Sequence, residues 1–385
     1  MSAFDIHNTD LKILILSSKV AGAEIWKPAQ MLTPASYILL AQMVNYFACN
    51  FWTVYLYRDD IINFMKVLNS TGIAVQLSIK FFIAIFSKKK LVEMCDMIKT
   101  DIYQKYDSRA EPEGEMVYKY AETFHQILKI LILMYFSSFV VVGLYPLYFY
   151  LVEGELTLLL MIEYPYANWH TTKGFIVTTF VHIVVYFTGI CGLVLADALF
   201  IMYIAHAMLL IDIFKLHMIQ LELLLRDQNG SENKPKIEQK WKQCLQEHQA
   251  IAEYLKDIES FSAFICLVMV LTSVFVICIN IILAVQTDWY ACYSFLLLSF
   301  ISLSIYFVIG NVLEKKLDAQ DMCIITFPWN LLNSEQQKEY LFVVSQLQNS
   351  LILTIYGFSP LNFETYMEVL KGLYQFVMVI LNFVA

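Results

Sequence analysis

The last apolar segment of the chain carries a row of side chains suited to lining and closing a water-filled pore. Residues three or four apart fall on one face of a helix. Polar groups early on that face would keep a vestibule wet, and apolar groups later would block ions by dewetting. The alternative is that the apolar members face lipid or a neighbouring helix. The row consists of Glu368, Gly372, Gln375 or Phe376, Val379 and Phe383.

Three charged side chains in the same segment, Glu364, Glu368 and Lys371, need partners or water, because an unpaired charge inside a bilayer is costly. They lie within one or two helical turns of one another. Pairing of both carboxylates with Lys371 and a hydrated vestibule therefore both remain open.

Residues for catalysis or metal binding do not form a recognisable pattern. The sequence has neither CxxC nor HExxH spacing, and its apolar segments contain no paired carboxylates, histidine cluster or nucleophile motif. Four of the eight cysteines lie in long apolar stretches, and three lie in charged connections between such stretches. We therefore expect buried or reduced thiols. We predict neither an enzyme nor a cofactor.

Composition indicates what must position these residues. Of 385 residues, 59% are hydrophobic and only 16% are charged, and the mean hydropathy is +0.59. Soluble domains average about 45–50% apolar and about 25% charged residues. The net charge of −8 argues against a nucleic-acid partner, since phosphate binding needs a basic surface. The sequence therefore predicts a membrane protein that contacts lipid.

Seven stretches are candidate membrane helices, each near the roughly 20 apolar residues needed to cross the hydrocarbon core. Ile61–Phe86 is the weakest of them, because it contains Lys66, Asn69, Gln76 and Lys80. The other six are Pro34–Tyr57, Ile127–Val152, Phe175–Ile204, Phe261–Gln286, Trp289–Leu313 and Leu361–Ala385.

The distribution of cations sets the expected orientation. With seven spans, twenty of the 26 Lys and Arg residues fall in compartments on the amino-terminal side, and two fall on the other side. Cationic side chains near span ends prefer the cytoplasm. We therefore expect an all-α polytopic membrane protein with a cytoplasmic amino terminus and an extracellular carboxyl terminus, the reverse of a G-protein-coupled receptor.

The segments between spans suggest a domain organisation. We expect a cytoplasmic amino-terminal segment over residues 1–33 and the first six spans over 34–313, with the helices extended below the membrane at 206–260. Residues 314–385 would hold a cytoplasmic anchor helix and the last span. Helices 4–6 would thus extend into a cytoplasmic anchor region where subunits can meet, although a solvated helical hairpin at 206–260 is an alternative.

The carboxyl-terminal third resembles the end of insect odorant receptors. That family shows a Pro-Trp pair, a polar helix, a Gly-Phe-x-Pro-Leu turn and a Glu-Thr-aromatic sequence before its final helix. The matching residues here are Pro328-Trp329, Lys338, Gly357-Phe358-Ser359-Pro360-Leu361 and Glu364-Thr365-Tyr366, with upstream matches at Lys80, Asp197, His206 and His248. The match is continuous over roughly the last 190 residues.

The resemblance implies an odorant-tuned subunit of a ligand-gated non-selective cation channel. Such a subunit forms a heterotetramer with co-receptor subunits in the plasma membrane of olfactory sensory neurons. The chain lacks the longer connection of co-receptors before the fifth span. The resemblance also places the pore-closing positions at Val379 and Phe383, with Asn382 beside them.

The same resemblance implies a pocket for a small volatile odorant in the outer half of the bundle, among spans two, three, four and six. Tyr290 and Tyr293 could turn two aromatic faces toward one ligand. The candidate ligand-binding residues at helical spacing are Val67, Ser70, Thr71, Ala74, Val140, Gly143, Leu147, Phe180, Val184, Phe187, Tyr290, Tyr293 and Leu297. The alternative functions are a seven-span G-protein-coupled chemoreceptor and a small-molecule transporter, although no internal repeat supports the transporter.

Overall fold

A computed structural model describes residues 2–27, 29–106, 111–227, 234–347 and 352–384, with the side chains of Phe383 and Val384 left out of the description. Within these ranges the regular structure is helical and no β-strand occurs. The helices are α1 (Ala3–Val20), α2 (Pro34–Leu56), α3 (Ile61–Phe86), α4 (Lys88–Met97), α5 (Pro112–Val152), α6 (Thr172–Arg226), α7 (Lys234–Gln286), α8 (Ala291–Ile325), α9 (Ser334–Gln346) and α10 (Phe363–Val384), with a π-helical turn at Ile98–Gln104 and a 3₁₀ turn at Trp329–Leu331.

Several helices begin where the sequence carries capping chemistry. Thr33 caps α2 with a reciprocal bond to Ser36, and Pro34 occupies the first helical position. The side chains of Asp60 and Thr171 accept backbone N–H groups at the starts of α3 and α6. Each cap satisfies amide donors that a helix start leaves without partners, and so fixes the start.

Five described helices, α3 and α5 to α8, are long and apolar enough to cross a membrane. Helix α3 is therefore a stronger candidate than its polar residues suggested. Helices α2 and α10, with 23 and 22 residues, form at the positions predicted for the first and last spans. The all-α, membrane-type architecture is confirmed, while the count of seven and the orientation stay predictions.

Four helices are much longer than a bilayer requires. Helices α5, α6, α7 and α8 contain 41, 55, 53 and 35 residues. At 1.5 Å per residue, α6 alone is about 80 Å long against a hydrocarbon core of about 30 Å. Both α6 and α7 continue through the described parts of 206–260, and α5 begins at Pro112, earlier than the predicted span.

Polar contacts hold the extended ends of α5 to α8 together. His217 lies between Glu247, 2.7 Å from its Nδ1, and Glu113, 3.3 Å from its Nε2. Asp212 accepts a hydrogen bond from the Tyr120 hydroxyl at 2.6 Å and forms an ion pair with Lys316. These contacts join the extended parts of the four helices to one another.

At the opposite end of the bundle, the connection 153–171 folds back over the helices. Leu159, Leu160 and Ile162 are buried in a small core with Tyr46 of α2 and Phe295 of α8. Burial of apolar side chains removes them from water and headgroups, which stabilises the connection against the bundle. The connection thus closes one end of the helical bundle.

Candidate functional site

A cavity of about 150 Å³ lies between α2, α3, α6 and α8. On α3 it extends from Ser70 to Ala84, which corresponds to about 20 Å along a helix. Leu160 of the connection 153–171 contributes to its wall, as do Ala21, Ala23 and Ile25 from the link between α1 and α2. The cavity therefore extends further along the bundle than its expected place in the outer half.

The wall of the cavity is mostly apolar, and several of its polar side chains are hydrogen-bonded within the chain. Gln42 donates to the Thr188 hydroxyl at 2.8 Å. The hydroxyls of Ser70 and Ser78 donate to backbone carbonyls one turn earlier, at 2.9 and 2.7 Å. An apolar space with a few fixed polar groups suits a small organic molecule.

The charged residue in the wall, Lys80, belongs to a buried polar cluster. Its ammonium group is paired with Asp197 of α6, and both side chains are 3% exposed. Asp197 also accepts hydrogen bonds from the hydroxyls of Tyr306 of α8, at 2.7 Å, and Tyr135 of α5. One carboxylate therefore joins four helices behind the cavity.

The structure brings few of the predicted ligand residues to the cavity. Ser70 and Ala74 of α3 line it. Val67 is fully buried without lining it, and Thr71 donates to Asn50 at 3.0 Å. Phe187 packs against Phe136 and Phe139, and an added Cβ at Gly143 would have no neighbour within 4 Å. The predicted residues that are exposed at the surface of the chain are Val140, Leu147, Phe180, Val184, Phe187, Tyr290, Tyr293 and Leu297.

The lining residues that sequence reasoning missed lie on α2 and on a different face of α6. On α2, Gln42, Tyr46 and Phe47 face the cavity, and on α6 Tyr186 and Gly189 do so, in place of the predicted Val184 and Phe187. A shift of one residue turns a helix face by about 100°. Since α6 is apolar on all sides in this region, its pattern does not show which face points inward. The polar Gln42 within an apolar span was the available signal.

Helix α10 presents most of its predicted pore row outward from the chain. Glu368, Gln375, Val379 and Asn382 are exposed, and an added Cβ at Gly372 would meet no atom within 4 Å. The predicted gate residue Phe383 is in the helix, but its side chain lies outside the described residues. In the described part of the chain, this face of α10 is left without an intrachain partner.

The opposite face of α10 is held by α8. The hydroxyls of Tyr366 and Ser304 are 2.7 Å apart, and the rings of Tyr366 and Phe307 pack with centroids separated by 5.0 Å. At the start of α10, Asn362 donates to Glu314 at 3.2 Å. These contacts attach the first turns of α10 to a helix that also reaches the buried cluster.

The turn before α10 is fixed by close contacts. Glu259 of α7 accepts bonds from the backbone N–H and the hydroxyl of Thr354. Gly357 has a φ of 76°, a conformation that favours glycine. A Cβ added at Gly310 would lie 2.1 Å from the carbonyl oxygen of Leu361, so glycine permits the turn to approach α8.

Comparison with known proteins identifies the family. The model of the 7tm odorant receptor family matches residues 60–374. The chain belongs to this odorant receptor family. The expected family is thereby confirmed, and the chain is a multi-pass membrane receptor rather than an enzyme.

The odorant receptors that this chain resembles are distant from it in sequence, and one of them has a similar fold. Putative odorant receptor 83c of Drosophila melanogaster is 19% identical over 294 residues, which cover 73% of each protein. The fold resembles that of olfactory receptor OR5 from Machilis hrabei in complex with eugenol, with a TM-score of 0.73 and 13% identity, over 90% of this chain and 89% of that chain. A second OR5 structure gives a TM-score of 0.71 at the same identity and coverage.

Proposed function

We propose that the chain is an odorant-tuned subunit of a ligand-gated, non-selective cation channel. It binds a small volatile within the helical bundle and opens a hydrophobic gate in its last helix. The observation that carries the proposal is the largely apolar cavity within a chain of the odorant receptor family. In this proposal the receptor resides in the plasma membrane of olfactory sensory neurons, with the amino terminus inside and the carboxyl terminus outside.

The cavity, rather than the outer surfaces of α5 and α8, is the proposed odorant site. Its fixed hydroxyl and amide groups would orient one ligand, and aromatic rings such as Tyr46 and Phe47 would supply contact area. The eugenol complex of OR5 supports a small organic ligand for this fold. A ligand of about ten heavy atoms would bind in the micromolar range or better.

The proposed pore is lined by α10 and its counterparts in other subunits. Glu368 and Gln375 would lie along a wet vestibule, and Val379, with Asn382 and Phe383 beside it, would form the constriction. The exposed face of α10 supports this arrangement, because polar and charged side chains at membrane depth require contacts outside the chain.

The proposed assembly is a heterotetramer with co-receptor subunits, formed in part by the extended helices. A space of about 830 Å³ lies between α7, α8 and α9, with a wall of mixed charge that includes Lys256, Asp318 and Lys338. Phe342 of α9 also lines this space and is 67% exposed. Apolar and charged groups arranged together are typical of surfaces that bury against a partner.

Current recording in cells that express this chain with and without a co-receptor, against a panel of volatiles, tests the proposal. We expect a fast cation current that needs both chains and one class of volatile. Ala74→Phe, which fills part of the cavity, should raise the half-maximal concentration at least tenfold. Leu297→Phe, on the exposed surface of α8, is the matched control and should change it less than twofold.

Two results would contradict the proposal. A current that appears only after a metabotropic delay would favour a G-protein-coupled receptor. A larger effect of Leu297→Phe than of Ala74→Phe would place the ligand on the outer surface of α8 instead of in the cavity.

A further inference from the structure

Lys80 is shared by the cavity and the buried polar cluster. Its side chain forms part of the cavity wall beside Leu77 and Ala84, while its ammonium group is paired with Asp197. A molecule in the cavity would therefore contact a residue whose charged end is fixed elsewhere. No other charged residue lines the part of the cavity that the structure describes.

Hydrogen bonds connect all members of the buried polar cluster, so a displacement of one member affects the others. Both oxygens of Asp197 are used: Oδ1 accepts from Lys80 and Tyr306, and Oδ2 accepts from Tyr135. The Tyr135 hydroxyl is also 3.0 Å from that of Ser302. A buried ion pair is stable only when such additional bonds satisfy its remaining groups. Displacement of the Lys80 ammonium would consequently disturb α5, α6 and α8 together.

One turn of α8 connects the cluster with α10. Tyr306 bonds to Asp197, while Phe307 and Ser304 contact Tyr366 of α10, the latter through hydroxyls 2.7 Å apart. Neighbouring helical residues point about 100° apart, so a single short segment of α8 contacts both sides. Any rotation or shift of this segment changes both sets of contacts.

We propose that Lys80 is the positioning residue through which the occupant of the cavity acts on α10, by way of Asp197, Tyr306 and the Ser304–Tyr366 contact. This inference rests on the proposed function of the cavity and adds the route from ligand to last helix. An occupant shifts the equilibrium only by its different affinity for two arrangements of this cluster. Lys80 is thus a sensor of occupancy in addition to a wall residue.

A double variant, Lys80→Met with Asp197→Asn, tests the route. It removes both charges together, and the asparagine oxygen can still accept a tyrosine hydroxyl, so no buried charge is left unpaired. We expect the maximal ligand-gated current per receptor at the cell surface to fall at least tenfold. The dissociation constant of the ligand should change less than threefold. It is obtained from the thermal shift of the purified complex with its co-receptor as the ligand concentration is raised.

Lys66→Met is the matched control, because Lys66 lies on the same helix, is half-buried and does not line the cavity. It should leave both current and binding within twofold of wild type. A purely structural role of the pair would lower surface amount and melting temperature, with current per receptor unchanged. That outcome, or a parallel loss of binding and current, would overturn the proposal.

A second measurement separates this inference from the proposed function. Met378 of α10 is exposed in the single chain, and the eight native cysteines are free, seven of them buried. A Met378→Cys variant therefore adds a thiol whose rate of labelling by a small, membrane-permeant maleimide reports on the surroundings of α10. We expect a ligand found by thermal shift to change the labelling rate at least threefold in wild-type and Lys66→Met backgrounds, and not in the double variant. An equal ligand effect in the double variant would overturn the inference even if the receptor carries no current. Absence of current together with this pattern would contradict only the channel proposal.

Discussion

Charged side chains within the predicted spans have a partner in α3 and are exposed in α10. In α3, Lys80 is paired within the chain and surrounded by hydroxyls that complete the hydrogen bonding of Asp197. In α10, Glu368 and Lys371 are exposed and form no ion pair with any described residue. A charge at membrane depth needs a partner or water. The first arrangement belongs to the fold of one chain, and the second fits the proposed pore, in which other subunits or water would contact α10.

Asp197→Ala should cause the largest loss of surface expression, and it tests whether the fold requires the Lys80–Asp197 pair. Asp197→Ala leaves a buried ammonium without its carboxylate and removes the acceptor of two tyrosine hydroxyls. Breaking a buried pair on one side costs about 3–5 kcal/mol. We expect surface expression to fall at least tenfold, measured by labelling an epitope tag. Glu368→Ala in α10 is the control and should leave surface expression of the single chain nearly unchanged.

Equal losses from Asp197→Ala and Glu368→Ala would contradict this difference between α3 and α10, because both charges would then be required by the fold of one chain. Recovery of surface expression in the Lys80→Met, Asp197→Asn double variant would show that the loss in Asp197→Ala comes from the unpaired charge of Lys80.

A substitution at Gly310, where the turn before α10 contacts α8, should destabilise the receptor less than Asp197→Ala does. Gly310→Val places a branched side chain against the carbonyl oxygen of Leu361, 2.1 Å from the first added atom. Overpacking of this kind costs about 1–3 kcal/mol. We expect the melting temperature of the purified receptor to fall by several degrees and the ligand-gated current per surface receptor to fall more than the surface amount. Gly372→Val, on the exposed face of α10, leaves the chain itself unstrained and should not lower the melting temperature.

His7 of α1 provides a third case, a buried polar group outside the predicted spans. Its ring stacks on Tyr103 at 4.2 Å and is 1% exposed. Burial, with the nearby His206 and Lys99, lowers the pKa of His7 from 6.5 to about 3. A lowered histidine pKa means that the unfolded chain binds more protons below pH 6.5. Stability should therefore fall as the pH drops from about 6.5 toward 3, by about 1.4 kcal/mol per unit at the steepest.

The measurement is the midpoint of thermal unfolding between pH 7 and 5 for wild type and His7→Phe, which keeps an aromatic ring against Tyr103. The wild type should lose stability over this range, and the variant should lose less. An identical pH dependence of the two proteins would show that His7 does not contribute, and that other titrating groups set it.

The sequence predicted the positions of the helices and the family better than it predicted the residues that line the cavity. The limits of α3 at Ile61 and Phe86 agree with the prediction because capping and charge mark both ends. The lining residues were harder to predict, since apolar helices such as α6 offer no polar face from which to read their rotation. Only Ser70 and Ala74 of the predicted ligand residues line the cavity. The polar residues Gln42, which the sequence analysis did not single out, and Lys80 would have been better guides, because each lies where lipid alone would not satisfy it.

The smallest expected effect concerns the gate, and it tests whether the exposed face of α10 is the pore. Val379→Ala and Phe383→Ala each remove apolar surface from the proposed constriction, which makes dewetting less favourable. A bias of about 1 kcal/mol toward the open state corresponds to about a fivefold change in the open-to-closed ratio. We therefore expect several-fold more ligand-independent current in cells that express the chain with a co-receptor. Val377→Ala, at a buried position on the face of α10 toward the bundle, is the control. If Val377→Ala raised basal current while Val379→Ala did not, the exposed face of α10 would face lipid, and its polar row would need another explanation.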